Sequence, residues 1–138
     1  MSELSPSLAA AKLSPFLSVR RGREAVEFYK AAFGARELFR FDAEDGTVVA
    51  QLAVGQSDFW LSDESPQHKN FSPETLGGGT MHIVIVVDDP HTVYDRAISA
   101  GAAIECPVRD EHGWRIGKLR DPFGHAWEIG KLLQVAAP

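Results

Sequence analysis

Residues 81–101, MHIVIVVDDPHTVYDRAISAG, contain a complete strand-to-helix unit. Met81 to Val87 is an apolar, β-branched run of strand length and reads as a buried strand. Asp88-Asp89-Pro90 then supplies a helix N-cap and a proline in the first helical turn, where its missing N–H is not needed. Val93, Tyr94, Ala97 and Ile98 recur at three-and-four spacing, which predicts one apolar stripe on a helix at 90–100, stopped by Gly101. Further strands are expected at 103–108, 114–120 and 125–130. Asp121-Pro122-Phe123-Gly124 places Asp, Pro and Gly where a type I turn favours them. The order is βαβββ.

The same order occurs upstream. In SPFLSVRRGREAVEFYKAAFG, residues 14–34, a strand at 16–19 follows Pro15, and Ala25, Val26, Phe28, Tyr29, Ala32 and Phe33 predict a helix at 23–33 ending at Gly34. Strands are expected at 37–41, 47–54 and 58–62, with turns at Glu44-Asp45-Gly46 and Gly55-Gln56. Val19 and Val87 end the two first strands 68 positions apart, while Gly34 and Gly101, and Gly46 and Gly113, are each 67 apart. An internal repeat accounts for this, and a unit that cannot cover its own sheet packs against its copy. The polar stretch 64–79 between the copies reads as a connecting loop. Its glycine triplet feeds a strand, with no Lys-Ser/Thr following, so it is not a phosphate cradle.

Composition narrows the function classes. With 138 residues, 44% of them hydrophobic, the chain is expected to fold as one domain with its own core. The net charge of -5 argues against nucleic acid, because the cluster Arg20, Arg21, Arg23 has no basic neighbours to extend it. The longest apolar run, Ile83–Val87, is far shorter than the ~20 residues of a membrane span. Residues 1–13 lack the pattern of an export signal and read as a loose arm, with 132–138 as a tail. Together with the single cysteine, Cys106, this predicts a cytoplasmic protein without disulfides.

The repeat also aligns chemistry. At an offset of 68, His82 falls opposite Ser14, and Glu128 in the last strand falls opposite Trp60. Two such units related by a pseudo-twofold bring their first and last strands toward a shared concave sheet. Imidazole nitrogen and carboxylate oxygen there are donors for a divalent metal.

On S14-P-F-L-S-V-R, F28-Y-K-A-A-F-G34, M81-H-I-V-I-V-V-D-D89 and L119-R-D-P-F-G-H-A-W-E-I129, the chain resembles the vicinal oxygen chelate superfamily. That superfamily includes glyoxalase I, bleomycin-resistance proteins, fosfomycin-resistance enzymes and extradiol dioxygenases. The resemblance covers residues 14–131 and, through G113-W and D-P-F-G-H-x-W, is strongest to the branch called PhnB-like. It implies an α+β fold of two βαβββ modules, 14–63 and 80–131, forming a curved, partly open eight-stranded mixed sheet completed in a homodimer.

Carried over by position, the superfamily's metal-ligand sites fall on Ser14, Trp60, His82 and Glu128, of which His82 and Glu128 can bind a metal. Catalytic sites generally use about three protein ligands. The expectation is therefore a small-molecule-binding protein without a resident cofactor, its cup lined by Ser14, Phe16, Gln51, Trp60, His82, Trp114 and Glu128. The alternative is a lyase, isomerase or dioxygenase using one divalent metal (Zn, Mn, Ni or Fe), with a third ligand from Asp58, Gln51 or the substrate. His82 hydrogen-bonding Glu128 is the metal-free use of that pair. Trp60 offers a stacking surface to an aromatic or cationic ligand, and Trp114 a place at the pocket mouth. His125 is assigned to turn stabilisation, Trp127 to packing under the helices, and His68, His91 and His112 to exposed positions.

Overall fold

The structure is a computed structural model and describes residues 7–133. Eight strands and two long helices appear in the expected order: β1 (Phe16–Val19), α1 (Gly22–Phe33), β2 (Arg36–Asp42), β3 (Val48–Val54), β4 (Ser57–Asp63), then a connector, β5 (His82–Val86), α3 (Pro90–Ala100), β6 (Ala103–Glu111), β7 (Trp114–Arg120) and β8 (Ala126–Leu132). The connector is more ordered than its composition predicts. It holds a 3-10 turn at Pro66–His68 and a one-turn helix, α2 (Pro73–Leu76), whose N-cap Ser72 accepts from Thr75 N.

The strands divide into two four-stranded mixed sheets, ordered β1-β4-β3-β2 and β5-β8-β7-β6. In each, the first strand pairs parallel to the last. The registers carry the repeat into three dimensions. Phe16 pairs with Trp60 and Val84 with Glu128, at an offset of 68 in both cases. Gln51 pairs with Trp60 and Lys118 with Glu128, which sets the inner hairpins at an offset of 67. The second copy is one residue shorter between its first strand and the end of its helix, and one residue longer at the turn before its last strand.

The two helices start differently. Asp89 caps α3 locally, accepting from Thr92 N at 3.2 Å. Nothing local caps α1; instead the Asp63 carboxylate reaches across from β4, accepting from Gly22 N at 3.0 Å and from Val48 N at 2.7 Å. Helices α1 and α3 pack against each other, and Arg96 of α3 donates to Ala31 O at 2.6 Å, satisfying a carbonyl at the C-terminal end of α1.

One core serves both modules. Tyr29 lies 5.2 Å from Phe59 in the first sheet and 5.6 Å from Trp127 in the second, measured between ring centroids. Trp127 is buried beneath the helices, as expected. Each fully buried large side chain of this cluster contributes about 1.5–3 kcal/mol.

β5 departs from the expected fully buried strand. Ile83 and Ile85 face the core, but His82, Val84 and Val86 are exposed, the two valines by 53% and 63%. β5 is an edge strand, and among the described residues no element covers its outer face. The N-terminal arm is also less loose than expected: Lys12 Nζ holds Asp58 Oδ2 at 2.7 Å. The expected tail begins with Leu132, which belongs to β8, and its residues 134–138 lie outside the described part, as do residues 1–6 of the arm.

Candidate functional site

Alternation along the strands puts Phe16, Trp60, Gln51 and Phe39 on the outer face of the first sheet, opposite the helices. The Phe16 and Trp60 rings are parallel to within 5° at 6.3 Å, and Phe39 adds a third ring 5.8 Å from Trp60. Phe16 is 52% exposed although the other three residues of its strand are buried. An exposed aromatic platform of this kind gains little from folding and is suited to contact with another molecule.

On the second sheet, His82 Nδ1 lies 2.9 Å from Glu128 Oε2. His82 and Glu128 are diagonal neighbours, since Val84 stands directly across from Glu128. Ser14 and Gln51 are drawn into a separate cluster on Asp58. Ser14 Oγ donates to its Oδ1, and Gln51 Nε2 donates to Oδ2 at 3.0 Å beside Lys12. The Lys12 ammonium, followed by the Ser14 hydroxyl, holds the Asp58 carboxyl below the usual carboxylate range.

Two cavities lie where the modules meet. The first, of 550 Å³, is bordered by Phe16 and Ser18 of β1, the connector, His82, Arg120, His125 and Ala126. The second, of 790 Å³, is bounded by the arm, Asp58, Phe59, Trp127 and β5. Phe16 and His82 are thus brought to one cavity. Ser14, Gln51, Trp60, Trp114 and Glu128, also expected in the lining of the cup, border neither; Trp114 lies at the start of β7 opposite Leu132, two rungs beyond Glu128.

The donor set does not fit a three-ligand metal centre. His82 and Glu128 bond each other, Asp58 is engaged by Lys12, Ser14 and Gln51, and no group of three His, Cys, Asp or Glu side chains converges among the described residues. Asp58 and Gln51, the expected sources of a third ligand, belong to the first sheet's cluster.

Sequence reasoning missed Arg120, Phe39 and the second role of His125. His125 follows the turn as expected, with its N–H donating to Asp121 Oδ1 at 2.9 Å, but its Nε2 also meets Ser18 O at 2.9 Å and so ties the second module to β1. Arg120 lies on the Glu128 face by simple alternation, which was a usable signal. Its place beside Ala126 and His82 depends on the β5–β8 register.

Paired βαβββ modules around a shared core, with an outward-facing cup at their junction, define the class of protein. The family model for the Glyoxalase/Bleomycin resistance protein/Dioxygenase superfamily matches residues 12–129, and the chain belongs to that superfamily. It is 37% identical over 124 residues to Mb0911c of Mycobacterium bovis, covering 86% of this chain and 82% of that one. Among solved structures it is similar to TioX from Micromonospora sp. ML1, with 27% identity, a TM-score of 0.67, and coverage of 93% of this chain and 99% of that one. The fosfomycin resistance protein FosX from Mesorhizobium loti shares the fold at 18% identity and a TM-score of 0.64, covering 87% of this chain and 90% of that one. Among the described residues, no helix is long and apolar enough to cross a membrane.

Proposed function

We propose that the chain is a small-molecule-binding protein of the glyoxalase/bleomycin-resistance type that holds a planar aromatic ligand against Phe16 and Trp60, without a resident metal. The observation that carries this is the exposed Phe16 ring, stacked on Trp60 and bordering the cavity that also receives His82. Stacking on such a platform is worth about 0.5–1.5 kcal/mol beyond area burial, so removing it weakens binding by roughly two- to tenfold.

Calorimetric titration with 1-naphthalenemethanol tests the reading. Binding is expected, and Phe16→Ala is expected to weaken it about fivefold. No heat at millimolar ligand, or unchanged affinity in both Phe16→Ala and Trp60→Leu, would overturn it.

Two further parts belong to this proposal. A second copy of the chain covers the half-exposed apolar residues of the outer faces, among them Phe39, Phe41, Val84 and Val86. Light scattering is then expected to give twice 15.1 kDa, and a mass of one chain would refute the homodimer. The single unpaired cysteine, Cys106, fits a cytoplasmic location. The competing reading, a metal-dependent lyase, isomerase or dioxygenase, draws on His82 and Glu128 and lacks a third protein ligand among the described residues.

A further inference from the structure

We propose that the cavity bordered by Phe16 and His82 takes an organic anion, its acidic group held between Arg120 and His82 above Ala126. This rests on the small-molecule reading of the same cavity and names the chemical class of its ligand.

Strand pairing sets the geometry. His82 pairs with Ala126, and Ala126 with Arg120, so the three residues form one row across β5, β8 and β7 on the outer face. Neighbouring strands are spaced about 4.8 Å, which separates the backbones of His82 and Arg120 by about 10 Å. Only the Ala126 methyl stands between them. In the next row, Val84, Glu128 and Lys118, the middle position is filled by a carboxylate instead. The gap over Ala126 is therefore local, flanked by two nitrogen-bearing side chains.

Both flanking side chains have a nitrogen to spare, an N–H donor on Arg120 and a ring nitrogen on His82. Arg120 Nε donates to Glu105 Oε2 at 2.8 Å and Nη1 to Gly124 O at 2.9 Å, leaving Nη2 without a protein partner among the described residues. His82 engages Glu128 through Nδ1, leaving Nε2 likewise unpartnered. Glu105 and Glu128 thus orient these groups from the sides, and neither borders the cavity. No Asp or Glu is among its lining residues, although the chain as a whole carries a charge of -5. A wall with arginine and histidine and no carboxylate, in an acidic protein, selects for negative charge.

The rest of the wall is apolar. Phe16, Phe71, Leu76 and Met81 face the space that the body of the ligand would occupy. The planar guanidinium is shaped for a carboxylate, so an aromatic carboxylate satisfies both halves of the cavity.

The test compares 1-naphthoate with the neutral 1-naphthalenemethanol by calorimetry on the wild-type chain. Naphthoate is expected to bind at least about tenfold more tightly, with the ratio falling toward one in Arg120→Gln. Ala126→Leu, which fills the gap without touching a charge, is expected to reduce naphthoate binding more than that of the alcohol. Melting curves establish that each variant is folded. Equal affinities in the wild type, or a preference that survives in both variants, would overturn the anion site while leaving the small-molecule reading intact. If neither compound binds, both proposals fall.

Discussion

The Tyr29 hydroxyl on α1 donates to Asp121 Oδ2 at 2.5 Å, and the Trp127 indole N–H donates to the same oxygen at 2.8 Å. Asp121 Oδ1 meanwhile accepts from the backbone N–H groups of Phe123 and His125, both at 2.9 Å. One buried carboxylate in a turn of the second module is thus satisfied by four donors, one of which comes from the first module.

Removing that acceptor is expected to be severe. Asp121→Ala strands four donors, two of them on buried aromatic side chains, and is expected to cost 3 kcal/mol or more, whereas Tyr29→Phe costs about 1–2 kcal/mol. Urea denaturation followed by circular dichroism measures both, and equal costs would show that the carboxylate is not the organising group.

The two tyrosines are expected to be silent in the native protein at ordinary phenol pH. Burial, reinforced by the Asp121 charge, holds Tyr29 well above its usual value near 10, and burial raises Tyr94 as well. Stability associated with a raised acid is full below the unfolded value and is lost as pH rises from there through the folded one. Absorbance at 295 nm should therefore show no tyrosinate step near pH 10 until the chain unfolds. A step in the folded protein would contradict the burial of these rings.

Gly117→Ala tests the packing of α3 on β7. A Cβ at Gly117 would stand 2.8 Å from both Tyr94 Cδ2 and Val108 Cγ2, closer than packed carbon atoms allow, so one or both must shift. The equivalent position in the first module is Ala50, buried in the core. The variant is expected to lose about 1–3 kcal/mol by overpacking, read from its thermal midpoint. A gain in stability would show that the interface relaxes freely.

Acid weakens the tie between arm and sheet. The Asp58 carboxyl is depressed chiefly by Lys12, and that of Glu64 chiefly by the Ser72 backbone N–H, so each contributes stability above the usual carboxylate value that is lost as pH falls through its lowered one. The stability difference between wild type and Asp58→Asn should narrow as pH falls from neutral to below the usual carboxylate range. A constant difference would mean that Asp58 acts by shape alone.

Metal is expected to bind weakly. With two protein ligands that already bond each other, Zn(II), Mn(II), Ni(II) or Fe(II) should show no stoichiometric retention after dialysis, and His82→Ala should change nothing measurable by elemental analysis. Stoichiometric metal that disappears in His82→Ala would restore the metalloenzyme reading.

Much of this architecture was legible along the chain, because it rests on local rules. The glycines at 34 and 101, the Asp89-Pro90 helix start and the alternation in β3 and β7 are consequences of backbone sterics and hydrophobic periodicity, which a sequence records directly. The offset of 68 between Phe16 and Val84, and between Trp60 and Glu128, was also readable, and the registers reproduce it. What the sequence could not supply was the relation between separate strands and separate modules. That Ser14 turns to Asp58, that Arg120 stands one row from Glu128 beside Ala126, and that His125 reaches Ser18 are set by strand register and by how the two helices pack. Those depend on contacts between residues dozens of positions apart, where neither propensity nor spacing specifies a partner. The repeat determined that there would be two modules and a junction between them. Only tertiary packing decided that the junction would present aromatic rings on one side and the nitrogen-bearing side chains of Arg120 and His82 on the other.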